Sequence, residues 1–115
     1  MEFVESHCFA VKRSRLLSDD ELRTLEEHLA VHPTAGDVIE GTGGVRKLRW
    51  GDPRRGKGKR GGSRVLYFYF LTDSLIYLMA IYGKGEKDDL TAEDKKLIRT
   101  ELSEEKEARR QARRG

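Results

Sequence analysis

The residues of this chain best suited to chemistry are cations gathered between Gly51 and Arg64. Six of these fourteen residues are Lys or Arg, five are Gly, and Asp52 is the single acid. Such a stretch has almost nothing to bury and its charges repel one another, so it predicts a flexible loop and not a core element. Glycines let backbone N–H groups approach phosphates while Lys and Arg neutralise them, which suits an extended polyanion. A solvated linker is the competing interpretation.

The distribution of charge along the chain favours the polyanion. Residues 44–64 carry nine basic side chains against one acidic side chain. By contrast, the net charge of residues 1–43 is −5 and that of residues 65–115 is zero. The net charge of +3 for all 115 residues therefore hides a basic segment in the middle of the chain. A cationic segment of this kind is typical of nucleic-acid binding.

Arg64 is the cation with the most specific predicted role. It opens an apolar run that predicts a strand, so its backbone is rigid while its side chain faces the basic segment. A guanidinium held in this way can bind a scissile phosphate and stabilise the extra charge of a pentavalent transition state. The alternative is a plain ion pair with an acid such as Asp73.

The elements that must position these cations read as a small mixed α and β domain. Apolar alternation predicts a short strand over Val45–Trp50 with Lys47 and Arg49 on one face. The runs Arg64–Thr72 and Leu75–Gly83 are apolar on both faces, which predicts central strands joined by a tight turn and covered by helix.

The flanking segments complete the predicted domain. Phe3–Val11 predicts a first strand. The segment 19–32 predicts a helix that begins with a capping box of Ser18 and Glu21. Thr91 and Asp94 begin a second helix, but from Ser103 onward no apolar side chain exceeds alanine. The sequence therefore predicts a domain over residues 1–102 and a charged tail, helical or disordered, over residues 103–115.

Several classes of protein and site are disfavoured. A single cysteine, Cys8, excludes an intramolecular disulfide and a cysteine-based zinc site, and it fits a reducing compartment. No apolar run reaches transmembrane length, so a cytoplasmic protein without membrane contact is expected. His28 and His32 are four residues apart on the predicted helix but have no clear third ligand, so no metal is expected.

The residues from Gly41 to Leu90 resemble the RelE/ParE toxin superfamily of bacterial type II toxin–antitoxin systems, in particular its HigB-like branch. The resemblance lies in the segments GTGGVRKLRW, GGSRVLYFYF and IYLMAIYGKGEKDDL. It implies an α+β, microbial-ribonuclease-like fold in which helices pack on one face of a twisted antiparallel sheet. It also implies an endoribonuclease that enters the ribosomal A site and cleaves mRNA, and a cognate antitoxin that is a helix-turn-helix DNA-binding protein.

The resemblance also implies a set of site residues. The implied catalytic residues are Arg64, Lys59, Tyr82 and Lys84. The implied RNA-binding residues are Arg49, Arg54, Arg55, Lys57, Arg60 and Lys87. Cleavage would proceed without metal or cofactor, by attack of the 2′-OH on the adjacent phosphate, with proton transfers run by Lys, Arg, Tyr or the RNA itself. Some relatives place an arginine where this chain has Gly85, and a tyrosine where it has Leu90 and Thr91.

Two other functions remain open at this point. One is a non-enzymatic inhibitor of the gyrase-poisoning ParE type, against which the basic segment argues, because a protein target needs no such segment. The other is an RNA- or ribosome-binding module without catalysis, which the sequence does not separate from the nuclease.

Overall fold

The computed structural model describes residues 1–51, 62–83, 85–86 and 89–114. Within these residues the elements are β1 (Glu2–Glu5), α1 (His7–Leu16), α2 (Asp19–Val31), β2 (Asp37–Val38), β3 (Arg46–Trp50), β4 (Ser63–Phe70), β5 (Leu75–Gly83) and α3 (Ala92–Arg114). The strands form one sheet in the order β1-β5-β4-β3-β2. The predicted α+β class is confirmed.

The N-terminal segment departs from the predicted strand over Phe3–Val11, because the strand ends at Glu5 and His7 begins a helix. Ser6 causes the change of structure. Its side-chain oxygen accepts a hydrogen bond from the Phe9 N–H at 3.0 Å, which caps α1, and its hydroxyl donates to the Met79 carbonyl at 2.7 Å. One buried serine thus ends β1, begins α1 and ties both to β5.

The sheet is antiparallel except at one edge, where β1 pairs in parallel with β5. This departs from the predicted antiparallel sheet. Strands β4 and β5 are joined by a tight turn and must run antiparallel, whereas β1 is separated from β5 by most of the chain. No hairpin fixes the direction of β1.

Helices cover both faces of the sheet, and not one face as predicted. Helices α1 and α2 bury Phe9, Leu25 and Leu29 against one face, here called the helix-pair face. Helix α3 covers the other, here called the α3 face, where Leu102 is buried among Val45 and other side chains of the sheet. Both central strands are apolar on both faces, so each face requires its own cover.

Helix α3 is continuous across residues 102 and 103, and its second half lies against β4. Lys106 sits over the Phe68 ring at 4.8 Å, and Arg109 lies 5.8 Å from the Phe70 ring. The capping box of Thr91 and Asp94 at its start is confirmed, with bonds of 2.9 and 3.1 Å. Cation–π contacts and aliphatic stems therefore cover the sheet where large apolar side chains are lacking.

Candidate functional site

Three of the predicted site residues lie side by side across the sheet. In the strand register Arg49 of β3 is directly opposite Arg64 of β4, and Arg64 is directly opposite Tyr82 of β5. Directly opposite residues of antiparallel strands project from the same face, with Cβ atoms about 5 Å apart. Arg49, Arg64 and Tyr82 therefore form a line on the α3 face, here called the site row.

Arg64 is the centre of the site row and is half-buried. One of its guanidinium nitrogens, Nη1, donates to the Gly62 carbonyl at 3.2 Å. Arg64 lies at the start of β4, whereas Asp73 lies in the turn beyond its other end and pairs with Arg113 at 3.5 Å. Asp73 is therefore not an ion-pair partner of Arg64.

The residues that flank the cation-rich stretch 52–61 meet beside the site row. Gly62 approaches the Trp50 backbone so closely that a Cβ atom at this position would lie 1.8 Å from the Trp50 carbonyl oxygen. Only glycine fits this contact between the end of β3 and the start of β4. This contact places Gly62 against the end of β3, next to Arg49 and Arg64.

All the other predicted site cations lie outside the described residues. This applies to the catalytic candidates Lys59 and Lys84 and to the RNA-binding candidates Arg54, Arg55, Lys57, Arg60 and Lys87. Their roles remain predictions. The structure does describe Gly51, Gly62 and Gly83, which lie at or next to the ends of β3, β4 and β5.

Lys47 is a cation that the sequence-based set of site residues omitted. It is half-buried, lies two residues before Arg49 on β3, and is directly opposite Leu66 on β4, so it shares the α3 face with the site row. Its alternation with Arg49 was visible in the sequence. Asp37 of β2 is directly opposite Lys47 on its other side and supplies a nearby negative charge.

Tyr82 is the most enclosed member of the site row, with 6% of its surface exposed. It packs in the apolar cluster that includes Leu66 and Leu102. It also lines a cleft of about 310 Å³ under the first half of α3, together with Leu90 and Asp94. The buried end of the site row is therefore the Tyr82 ring, whereas Arg49 at the other end of the row is exposed.

Two polar contacts of Glu86 hold the chain beyond β5. Glu86 accepts a hydrogen bond from the Gly83 N–H at 3.1 Å and pairs with Lys12 of α1 at 2.9 Å. The bond from Lys12, followed by that from Gly83, lowers the pKa of the Glu86 carboxyl. Gly85, between Gly83 and Glu86 in the chain, has a φ of 89°, a conformation that strains residues other than glycine.

Histidines contribute nothing to the site row. His28 lies on α2 and His32 is the C-cap of that helix, and the His28 ring lies tilted 5.2 Å from the ring of buried Trp50. In residues 1–51, 62–83, 85–86 and 89–114 no group of three His, Cys, Asp or Glu side chains is arranged to hold a metal ion. Nor is any helix in the same residues long and apolar enough to cross a membrane.

The arrangement can bind and stabilise negative charge. Two guanidinium groups project from adjacent strands, with a lysine one step away on the same face, at the mouth of a segment containing five further cations. Guanidinium groups bind phosphate oxygens with two parallel hydrogen bonds, and a rigid strand keeps them aimed.

Comparison with solved structures identifies the architecture. A chain in the crystal structure of the intact E. coli RelBE toxin–antitoxin complex superposes with a TM-score of 0.51 over 75% of this chain and 98% of that chain, at 15% sequence identity. The isolated E. coli RelE toxin superposes with a TM-score of 0.50 over 84% of this chain and 97% of that chain, at 18% identity. The fold is RelE-like. No protein-family model matches the RelE-like chain.

Proposed function

We propose that this protein is the toxin of a type II toxin–antitoxin system and that it stops translation by cleaving mRNA on the ribosome. The observation that carries the proposal is the site row, in which Arg49 and Arg64 face the same way at both anchors of a strongly basic segment. The RelE-like fold supports it, since RelE of E. coli is a toxin that forms the RelBE toxin–antitoxin complex. The HigB-like segments in the sequence favour that branch.

In the proposed reaction the 2′-oxygen of one nucleotide attacks the adjacent phosphorus and the bond from phosphorus to the 5′-oxygen breaks. The products are a 2′,3′-cyclic phosphate and a 5′-hydroxyl. Arg64 binds the phosphate and stabilises the charge that develops on its oxygens. Arg49 and Lys47 hold neighbouring phosphates, as do the cations predicted between residues 54 and 60.

Proton transfer is assigned to the predicted residues Lys59, Lys84 and Tyr82. A lysine acts as a base only when its pKa is depressed, which crowding by other cations favours. Because the site row itself contains neither a histidine nor a carboxylate base, cleavage depends on how well the ribosome orients the 2′-OH for attack. We accordingly expect negligible cleavage of free RNA. We also expect the protein to be cytoplasmic and to be inhibited by a cognate antitoxin of the helix-turn-helix class.

The test is to map mRNA 5′ ends after brief expression without antitoxin. We expect growth arrest together with new 5′-hydroxyl ends inside translated reading frames, and no such ends after expression of Arg64→Ala. Loss of gyrase activity with mRNA left intact would instead assign the protein to the gyrase-poisoning type. Arrested translation with intact mRNA would leave a ribosome-binding protein without nuclease activity.

A further inference from the structure

Helix α3 separates its charges into two flanks. Successive residues of an α-helix are rotated by about 100°, so the side chains can be placed around the axis. Seven of the eight cations of α3 fall within an arc of about 100° that contains no acid. We call this arc the basic flank; it consists of Lys95, Lys96, Arg99, Lys106, Arg110, Arg113 and Arg114. All six acids fall on the other side, namely Glu93, Asp94, Glu101, Glu104, Glu105 and Glu107.

Contacts with the sheet fix which way each flank faces. From the acidic side, Glu101 accepts a hydrogen bond from the Tyr77 hydroxyl of β5 at 2.9 Å. On the basic flank, Arg99 donates to the Gly41 carbonyl at 3.0 Å, and Lys106 lies over Phe68 of β4. The basic flank therefore faces the β3 and β4 side of the sheet, where Lys47 and Arg49 also lie.

The basic flank is continuous with the site row. Lys95, at the start of the flank, and Lys47, beside Arg49 on β3, line one groove of about 330 Å³ together with Asp89. From Lys95 to Arg114 the helix advances about 28 Å at 1.5 Å per residue. Cations thus extend from the site row along the whole length of α3.

We propose that the basic flank of α3 is a second RNA-binding surface, which holds the strand that continues beyond the site row. The inference rests on the proposed function, since the RNA enters this surface from the site. A strand stacked as in a duplex has about 3.4 Å per phosphate, so about eight nucleotides of it span a distance of 28 Å. Cations repeated along the flank can contact successive phosphates of an RNA backbone. Such contacts do not distinguish one base sequence from another.

Stability of the helix does not require this arrangement. Cations near a helix C-terminus are favourable, and pairs spaced three or four residues apart stabilise a helix when their signs are opposite. Both effects would be obtained with acids and bases interspersed around the axis. Two pairs of this kind do occur, Arg109 with Glu105 and Arg110 with Glu107. Arg99, Lys106 and Arg113 also contact Gly41, Phe68 and Asp73, which helps to hold α3 on the sheet. These contacts do not require seven cations on one side of the helix, and a binding surface explains that placement.

The test measures how the affinity for RNA depends on salt. The probes are uridine oligonucleotides of about four and about sixteen nucleotides, the second being longer than the flank. Both carry 2′-O-methyl groups so that no cleavage can occur. Removing one cation that binds a phosphate should lower the slope of log affinity against log salt by about 0.7. For the longer RNA we expect Arg110→Gln to lower the slope by about 0.7, and Lys96→Gln with Arg110→Gln to lower it by about 1.4.

Arg23→Gln is the matched control. Arg23 is an exposed arginine paired with the acid three residues before it, Asp20, as Arg110 is paired with Glu107, but it lies on α2. The control should bind like the wild type. Between about 50 and 200 mM salt the wild type should lose about sevenfold more affinity for the longer RNA than the double variant. With the shorter RNA no variant should differ.

Equal slopes for the wild type and the double variant, or no binding of the longer RNA by the wild type, would overturn the proposal. If instead the double variant lost affinity for a glutamate-rich peptide and not for RNA, the flank would bind an acidic protein segment. Neither result bears on the proposed nuclease, because mRNA 5′ ends report cleavage independently. Absence of cut ends with a slope that does fall would leave RNA binding by α3 intact and refute the nuclease.

Discussion

Replacing Arg64 by alanine separates chemistry from affinity. Arg64 is half-buried at the centre of the site row, between exposed Arg49 and buried Tyr82. Its guanidinium donates to the Gly62 carbonyl at 3.2 Å, and alanine at this position removes none of the buried apolar side chains of the sheet. We expect Arg64→Ala to fold, to bind ribosomes and to have lost cleavage.

The size of the effect follows from the position of the guanidinium. A unit charge about 4 Å from a developing phosphate charge contributes about 1 kcal/mol in bulk water and about 4 kcal/mol at the effective dielectric near a protein surface. Loss of one positioned donor to a transition-state oxyanion costs about 3–4 kcal/mol in enzymes. For half-buried Arg64 the rate should therefore fall about a hundredfold to a thousandfold.

Single-turnover cleavage on programmed ribosomes, with toxin at saturation, is the appropriate assay because binding then no longer limits the rate. Arg49→Ala is the matched control on the neighbouring strand. Since Arg49 is exposed, its loss should weaken binding and lower the salt slope, but leave the saturated rate within about fivefold of the wild type. Arg64→Lys keeps the charge without the planar fork and should give an intermediate rate.

A saturated rate near that of the wild type for Arg64→Ala would refute this reasoning, since Arg64 would then be a binding residue only. Equal losses for Arg49→Ala and Arg64→Ala would refute it in a different way. In that case neither burial nor the central position distinguishes the two arginines.

Two further predictions concern the fold. Leu102 of α3 is 1% exposed, so Leu102→Ala should lower the free energy of unfolding by about 2–5 kcal/mol in urea titrations. Leu97→Ala, at 61% exposure on the same helix, should lower it by less than about 1 kcal/mol, and similar losses would contradict the packing described. Burial, followed by the negative charge of Glu5, raises the pKa of the Glu26 carboxyl, and Arg13 opposes this shift. The charged form of Glu26 therefore lowers the stability of the fold as the pH rises through that pKa. Glu26→Gln should therefore raise the thermal unfolding midpoint at pH 7 and not at pH 3, whereas an equal rise at both would exclude this cause.

The sequence predicted those elements whose signals are local. The capping box of Ser18 and Glu21 is present, with bonds of 2.9 and 3.1 Å, and α2 begins at Asp19. Helix α1 was missed because the strand-like composition of the segment outweighs the local cap of Ser6 on the Phe9 N–H, and because the contact of Ser6 with Met79 joins residues 73 positions apart. Phe3 and Val4 continue into Phe9 and Val11 with the composition of a strand, and the tertiary contact overrides that preference.

The site row was predicted residue by residue but not as an arrangement. Each of Arg49, Arg64 and Tyr82 is predicted from the sequence, yet their alignment depends on the register of three strands. The length of the connection 52–61 does not determine the register between β3 and β4. Lys47 was omitted because the density of charge in the basic segment dominates the signal along the sequence. Whether a cation shares a face of its strand with other site residues indicates a role in the site better than the local density of charge does.

The pairing of Arg49 with Arg64 also argues that the site row serves binding at the expense of stability. Like charges directly opposite each other on adjacent strands are destabilising, and an opposite-charge pair there would contribute about 0.2–1 kcal/mol. Arg49→Glu should therefore raise the free energy of unfolding by up to about 1 kcal/mol in urea titrations while it abolishes growth arrest. Arg46 lies three residues earlier on the opposite face and donates to the Gly36 carbonyl at 2.7 Å, so Arg46→Glu should destabilise the protein. If Arg49→Glu were destabilising as well, the arginine pair would be part of what holds β3 to β4, and the conflict between stability and function at this position would not exist.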